Sequence, residues 1–394
     1  MRYKFVRIPL KRPLPIVEKD GSIGNCVPQD VRNDIANKRL SCTSQFASLD
    51  TLFEKATKTG SNPFGDNSRR EKIINDVINA VDVYTRSLAS MLHEFPIFSE
   101  IYYYSWRSPM VTNQDVYFDD FRYDLQCMFY NIGATFMNIS ECLLCGHSQV
   151  AAHTKKECYH HLLRAAGYFL LVRNLLSDIQ SRAVGDVKLP PPDDSTVSFV
   201  EFCHLISLGQ AQEIGLEKAL ENKAIDDKML PPKLSHQAYK LYGEAKIIAQ
   251  NSIGVTTDAL KEVVSLVELK VSVFKIMTYS ISSVVLMDSE PSKALRLAAE
   301  SEALLKTFSD SLSSSGEKVD KSLGGDENLL QICSNIVKKN CYRCATLNAL
   351  VHRVKPSECI PELPPPLILA KEKQVLLPGN FPHQFIARTP SQNQ

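Results

Sequence analysis

At 394 residues the chain is long enough to bury one large core or two ordinary ones. It is 44% hydrophobic and 23% charged, and its formal net charge of +1 argues against bulk nucleic-acid binding. Eleven cysteines without dense spacing suggest free thiols in a reducing compartment. Apolar runs such as Ile281–Met287 are too short to span a bilayer, and the N-terminus shows no secretory h-region.

Taken in chain order, residues 1–30 are irregular with β character. Tyr3–Ile8 alternates at period two and predicts a strand, and Pro9, Pro13 and Pro15 keep the next stretch irregular. Arg2, Lys4, Arg7, Lys11 and Arg12 precede the first carboxylate, Glu18. They read either as a solvated strand or as a patch for acidic lipid or an acidic partner. Helical spacing begins near residue 30. After the Gly60–Gly65 loop, helices are expected at 68–93, 118–145, 150–180, 195–224, 231–252, 256–287, 290–312 and 326–349. Long helices with short connections form antiparallel hairpins that stack. Ala294, Leu297, Ala298, Ser301, Leu304 and Leu305 make a stripe of the kind that lets tetratricopeptide-type hairpins approach closely, although no strict 34-residue repeat is present. Beyond Pro356 the density of proline excludes helix. Residues 351–385 are expected to be an extended arm packed back on a helical body spanning 31–350, with 386–394 disordered.

The segment from Asp193 is the most unusual. Asp193-Asp194-Ser195 is a helix N-cap signal after three prolines. The next turns are apolar on nearly every side, as in a buried helix. Gln210, Gln212 and Glu213 then fall where the helix interior should continue, so the core there approaches a surface or bonds to a neighbour.

Few constellations suggest chemistry. Cys142/Cys145 and Cys341/Cys344 have the Cys-x-x-Cys spacing, with Cys158, His160 and His161 near the first pair. Zinc or redox chemistry is the sharp alternative. Both pairs lie in helical patterns, where cysteine commonly serves as a small core hydrophobe. His160 and His161 face different ways on a helix. Asp119-Asp120 suits the N-terminus of the helix after it. No phosphate-loop, His-Glu-x-x-His, Gly-x-Ser-x-Gly or dinucleotide fingerprint occurs. The expectation is a non-enzymatic protein with no catalytic residue, metal or cofactor. A binding surface is the candidate left. Leu230, Leu234, Ala238, Leu241, Ala245 and Ile248 share one helical stripe. It is either all core, or Leu230 and Leu234 edge a groove with Leu216 that takes an amphipathic helix.

Three further segments carry a resemblance. Phe129–Ala134 resembles the "LFNLGAL" helix of the BRO-one domain family, His161–Phe169 its "AAGxF" helix, and Leu208–Glu213 its "AQAQE" segment. Within that family, Arg7–Lys11 and Leu329–Asn348 are most similar to the Brox group. The resemblance implies a mainly α, boomerang-shaped solenoid with tetratricopeptide-like hairpins and a small N-terminal β element, forming one domain over 1–385. It implies an adaptor whose hydrophobic groove binds the C-terminal amphipathic helix of ESCRT-III (charged multivesicular body protein) subunits. The groove positions carried over are Leu216, Leu230 and Leu234, with Lys156 and Ile336 as walls. A small-GTPase effector role, as in rhophilin, is the other reading the family offers. Three positions depart from the family pattern. Gly215 stands where the family has an aromatic. His352 replaces a tyrosine found in some members, so no phosphotyrosine docking is expected. The chain ends Ser391–Gln394 without a prenylation cysteine. A cytoplasmic monomer, peripheral to endosomal or nuclear-envelope membranes, is the expected state.

Overall fold

The computed structural model describes residues 5–19, 26–59, 64, 66–110, 114–144, 150–182, 195–222, 227–254, 257–314 and 329–382. Nine α-helices of the described chain follow the apolar periodicity closely. They are α1 (Gln29–Thr59), α2 (Asn67–Glu94), α3 (Phe121–Leu144), α4 (Ala152–Arg182), α5 (Val197–Glu221), α6 (Leu230–Ser252), α7 (Asp258–Leu286), α8 (Pro291–Ser314) and α9 (Leu329–Leu347). From α3 to α8 each helix packs on the next, and α9 closes the row against α7 and α8. The result is the elongated stack of helical hairpins expected from short connections.

α3 and α5 are buried on almost every side. α7 is long and apolar enough by composition to cross a membrane, although its individual apolar runs are short. Here most of its apolar stretch is buried inside the protein, against α6, α8 and α9. Its Lys270 ammonium donates to the Glu213 carboxylate of α5, which also accepts from the Tyr242 hydroxyl of α6. One buried ion pair therefore joins three consecutive helices.

The N-terminal strand expected at Tyr3–Ile8 is not formed by the described residues. Phe5, Val6, Ile8 and Leu10 are all buried, and the backbone runs extended along α3. Side-chain amides stand in for a sheet partner. Asn138 exchanges two hydrogen bonds with the Ile8 backbone, both 2.9 Å, and Asn131 does the same at Lys11 (2.8 and 2.9 Å). The sheet proper is small. Its centre is β3 (Tyr102–Arg107), paired antiparallel with β1 (Arg12–Pro13), β2 (Val17–Glu18) and β4 (Asp115–Phe118). The aromatic run Tyr102–Trp106 is its strand signal. Asp124 on α3 fixes the sheet to the helices. It accepts from Trp106 Nε1 (2.7 Å), Arg39 Nη2 (2.8 Å) and the Tyr84 hydroxyl (2.9 Å).

Of the two readings of the N-terminal cations, a solvated strand or a patch, the described ones support neither in full. Arg7 pairs with Glu141, and Arg12 with Asp50 and Glu54. Lys11 is buried, donating to Ser195 Oγ at 2.9 Å. Arg2 and Lys4 lie outside the described residues. Ser195 is thereby engaged, and the N-cap of α5 is Thr196, whose side chain accepts from Phe199 N.

After α9 comes one π-helical turn (Asn348–His352), and from Val354 to Pro382 the chain has no helix or strand. This arm crosses back over α8, α6, α5, α4 and α2. Leu367 N donates to Lys233 O (3.2 Å), Lys373 N to Leu163 O (2.9 Å), and Phe381 stacks on Phe121 at 5.9 Å. The residues read as a disordered tail, 386–394, lie outside the described chain.

Candidate functional site

α5 ends at Glu221 with Asn222 as its C-cap, and α6 begins after a short connection with prolines in its first turn, where they cost little. The end of α5 and the start of α6 lie beside the last turns of α7, and the middle of α9 passes the same spot. The four elements frame an open trough of about 470 Å³. Its apolar walls are Leu220 from α5, Pro231 from α6, Ile281, Val284 and Val285 from α7, and Ile336 from α9. Leu220 is 41% exposed, a large apolar side chain offered to solvent.

The rims differ in charge. Across the α6–α7 side, Lys228 and Asp288 approach at 3.7 Å, and Asp227 lies 3.4 Å from Lys233. The α9 rim carries Lys339 and Arg343, neither of which forms an ion pair among the described residues. Asn340 holds this rim in place by donating to the Ser280 hydroxyl of α7 at 3.0 Å. The arrangement can take an apolar helix face and favours carboxylates toward α9.

The five residues expected at a groove separate. Ile336 lines the trough. Leu230 is half-buried, packed on the core next to the trough-lining Pro231. Leu216 and Leu234 are core, 0% and 1% exposed, and cannot meet a partner. The reason is position along the helix. Leu216 lies one turn inside the body, and Leu220, four residues on, is where the same face emerges. Lys156 is exposed but does not line the trough. Its neighbour Lys155 reaches the end of α5, pairing with Glu217 (3.0 Å) and Glu221 (2.8 Å). Leu220, Pro231 and the α7 residues were not expected from the sequence. Exposure of a helix end is a tertiary property that periodicity does not carry.

Gly215, where an aromatic was expected, has another occupant. Leu369 of the arm sits over it, and a Cβ at Gly215 would lie 2.4 Å from Leu369 Cδ2. The polar residues of α5 are structural too. Gln212 clamps the arm, donating to Leu367 O (2.9 Å) and accepting from Leu369 N (3.2 Å) and Ala370 N (3.1 Å). Glu213 holds α6 and α7 through Tyr242 and Lys270. Gln210 departs from the expected interhelical bonding: it is buried, and its amide finds no hydrogen-bond partner among the described residues.

Of the cysteine pairs, Cys145 lies outside the described residues. Cys341 and Cys344 turn to different helices, toward Ala298 O of α8 (3.4 Å) and Ser283 Oγ of α7 (3.6 Å). Burial raises both thiols above their ordinary range, which opposes thiolate chemistry. No group of three or more metal-ligating side chains occurs among the described residues.

Fold and trough together define an elongated helical scaffold with an open apolar site. The chain belongs to the BRO1-like domain family, whose model matches residues 7–379. No curated protein matches it. Among solved structures it is similar to "ALIX BRO1 CHMP4C complex" (TM-score 0.64, 17% identity, covering 95% of this chain and 96% of that one). It is also similar to "Structure basis for endosomal targeting by the Bro1 domain" (0.62, 14%, 95% and 94%). A third is "Crystal Structure of ALIX in complex with the SIVmac239 PYKEVTEDL Late Domain" (0.66, 15%, 95% and 50%). These matches give the family and the fold and no finer branch within the family.

Proposed function

We propose that the protein is a non-enzymatic adaptor that binds the C-terminal amphipathic helix of an ESCRT-III subunit in the α5–α6–α7–α9 trough. The observation that carries this reading is the trough itself: the exposed Leu220 with the partly buried Val284, Val285 and Ile336 between helix ends, and a basic rim that forms no ion pair among the described residues. A helix laid in a groove buries its apolar face and leaves its polar face to the rim. The similar structure of an ALIX BRO1 domain with CHMP4C supports the class of partner. Two or three buried apolar anchors contribute about 1.5–3 kcal/mol each, offset by the cost of ordering a free tail. An affinity on the order of micromolar results.

The test is a titration of synthetic ESCRT-III C-terminal tails into the purified chain. Leu220→Asp and Ile336→Asp, both at the trough surface, each abolish tail binding without lowering the melting temperature. Undiminished binding by both variants would sink the proposal.

A further inference from the structure

The charge of this protein is near zero overall but not locally. From Leu329 to Ser357 the chain carries Lys338, Lys339, Arg343, Arg353 and Lys355 and no aspartate or glutamate. All five cations are exposed, and no ion pair among the described residues involves any of them. Three of the neighbouring acids are paired elsewhere. Just before α8 Glu290 pairs with Lys293, on α8 Glu300 pairs with Arg296, and Asp288 pairs with Lys228. Glu302 of α8, close to Cys341, and Glu358 of the arm are exposed carboxylates. The segment is a basic surface on an otherwise balanced protein.

Apolar side chains stand among these cations. Tyr342, Leu350 and Val351 are 75%, 71% and 65% exposed, among the most exposed large hydrophobics of the described chain. Lys338 and Tyr342 are four residues apart and share the outward face of α9. Lys339 and Arg343 form the adjacent pair that rims the trough. Leu350 and Val351 protrude from the turn at the end of the helix.

That turn is built. It is a π-helical turn, a form found mostly as single turns and frequently at functional sites. Arg353 closes it with φ of 54°, a left-handed conformation that a non-glycine side chain rarely adopts. The Asn348 side chain brackets Val354, accepting from its N at 2.9 Å and donating to its O at 3.1 Å. Ser292 Oγ of α8 then donates to Lys355 O at 2.7 Å. Leu350 and Val351 are therefore held out by a braced backbone, and burying them adds little ordering cost.

We infer that the outward ridge of α9 and its terminal turn dock on an anionic membrane surface. Exposure and charge together select the occupant. Peptides are taken by grooves or sheet edges, whereas Tyr342, Leu350 and Val351 are each more than half exposed. A bilayer interface accommodates such side chains. Apolar and tyrosine side chains enter the headgroup region while flanking lysines and arginines meet acidic lipid. Phosphatidylserine supplies that charge on a cytoplasmic leaflet. The ridge lies beside the trough and not in it, so a scaffold resting on a membrane here keeps the trough open to a partner helix.

Sedimentation of the full chain with phosphatidylcholine vesicles, with and without phosphatidylserine, tests this. The wild type pellets with the serine-containing vesicles, and added salt releases it. The pair Lys338→Glu with Lys355→Glu lowers partitioning about tenfold or more. Leu350→Ser with Val351→Ser lowers it comparably, at unchanged melting temperature. Ile336→Asp, in the trough, pellets as the wild type does, which separates this surface from the proposed partner site. If either double variant melts early, Lys338→Gln alone is used, and its weaker pelleting carries the same meaning. Equal pelleting with both vesicle types overturns the inference, as does pelleting indifferent to the variants. Binding of an acidic helical peptide, but not of vesicles, in a Lys338-dependent way overturns it too and assigns the ridge to a protein partner.

Discussion

The backbone carbonyl of Lys373 occupies the place where a side chain at Gly167 would begin. A Cβ at that position would stand 1.9 Å from the oxygen. The arm can lie on α4 only because residue 167 has no side chain, and Lys373 N then bonds to Leu163 O. Gly215 makes a second close approach, but its contact is the flexible tip of Leu369. The two glycines therefore differ in consequence. Gly167→Ala displaces backbone and costs on the order of 1–3 kcal/mol, as overpacking does. Gly215→Ala is met by rotation of Leu369, and the gain in helix propensity roughly offsets the loss. Urea denaturation ranks the two. Limited proteolysis shows cleavage within 367–382 appearing in Gly167→Ala first.

Leucines on the α5 and α6 stripes behave in two ways. Leu234→Asp places a carboxylate at a site 1% exposed and costs several kcal/mol, so the variant unfolds or loses cooperative melting. Leu220→Asp, at a site 41% exposed, leaves the melt unchanged and removes the proposed tail binding. Circular dichroism melts of the two proteins side by side check this. A stable, binding-defective Leu234→Asp would return the groove to where the sequence resemblance put it.

That contrast shows what the sequence carries. Helix existence and extent were legible because most helices have an apolar face of regular period, while α3 and α5 are apolar nearly all round and bounded by polar or proline-rich breaks. The N-terminal alternation was legible as extended chain but not as non-strand, since Asn131 and Asn138, some 120–130 residues away, supply the backbone partners. Ile336 came from the family resemblance, and the structure brings it to the trough. Leu216 and Leu220 are equivalent in type and lie on one face, so periodicity cannot tell which lies beyond the last covering helix. The arm's clamp is equally silent. A glutamine in an apolar helix announces a bond, but not that it binds the backbone of a segment some 155 residues on.

Lys270 and Glu213 form a pair at 0% and 3% side-chain exposure. Burial raises the Glu213 carboxyl above its usual range, and the ammonium and the Tyr242 hydroxyl act against that. Lys270→Met removes the compensating charge and strands the carboxylate, with an expected loss of about 3–5 kcal/mol. Adding Glu213→Leu removes the stranded charge as well. The double variant regains much of the loss, because an apolar pair of similar volume replaces a buried ion pair at little net cost. Chemical denaturation of the wild type, both singles and the double completes the cycle. Additive losses would show that the pair acts as two independent packing sites.

His161 sets a pH dependence of known sign. It is buried against Phe136, ring centroids 5.3 Å apart, and its Nδ1 has no hydrogen-bond partner among the described residues. Burial first, then the nearby Arg164 and Arg70 guanidiniums, pull its pKa down from 6.5 to about 3. In the unfolded chain it titrates normally. Between those values the unfolded state therefore binds the extra proton and the folded state does not. The stability this neutral histidine permits is complete above pH about 6.5 and is lost as pH falls toward about 3. The slope approaches about 1.4 kcal/mol per pH unit at its steepest, the value of one proton. His161→Phe keeps a ring against Phe136 and has no proton to take up. Urea midpoints measured downward from neutral pH should fall less steeply in this variant than in the wild type. Parallel curves would show that His161 does not set the acid limb.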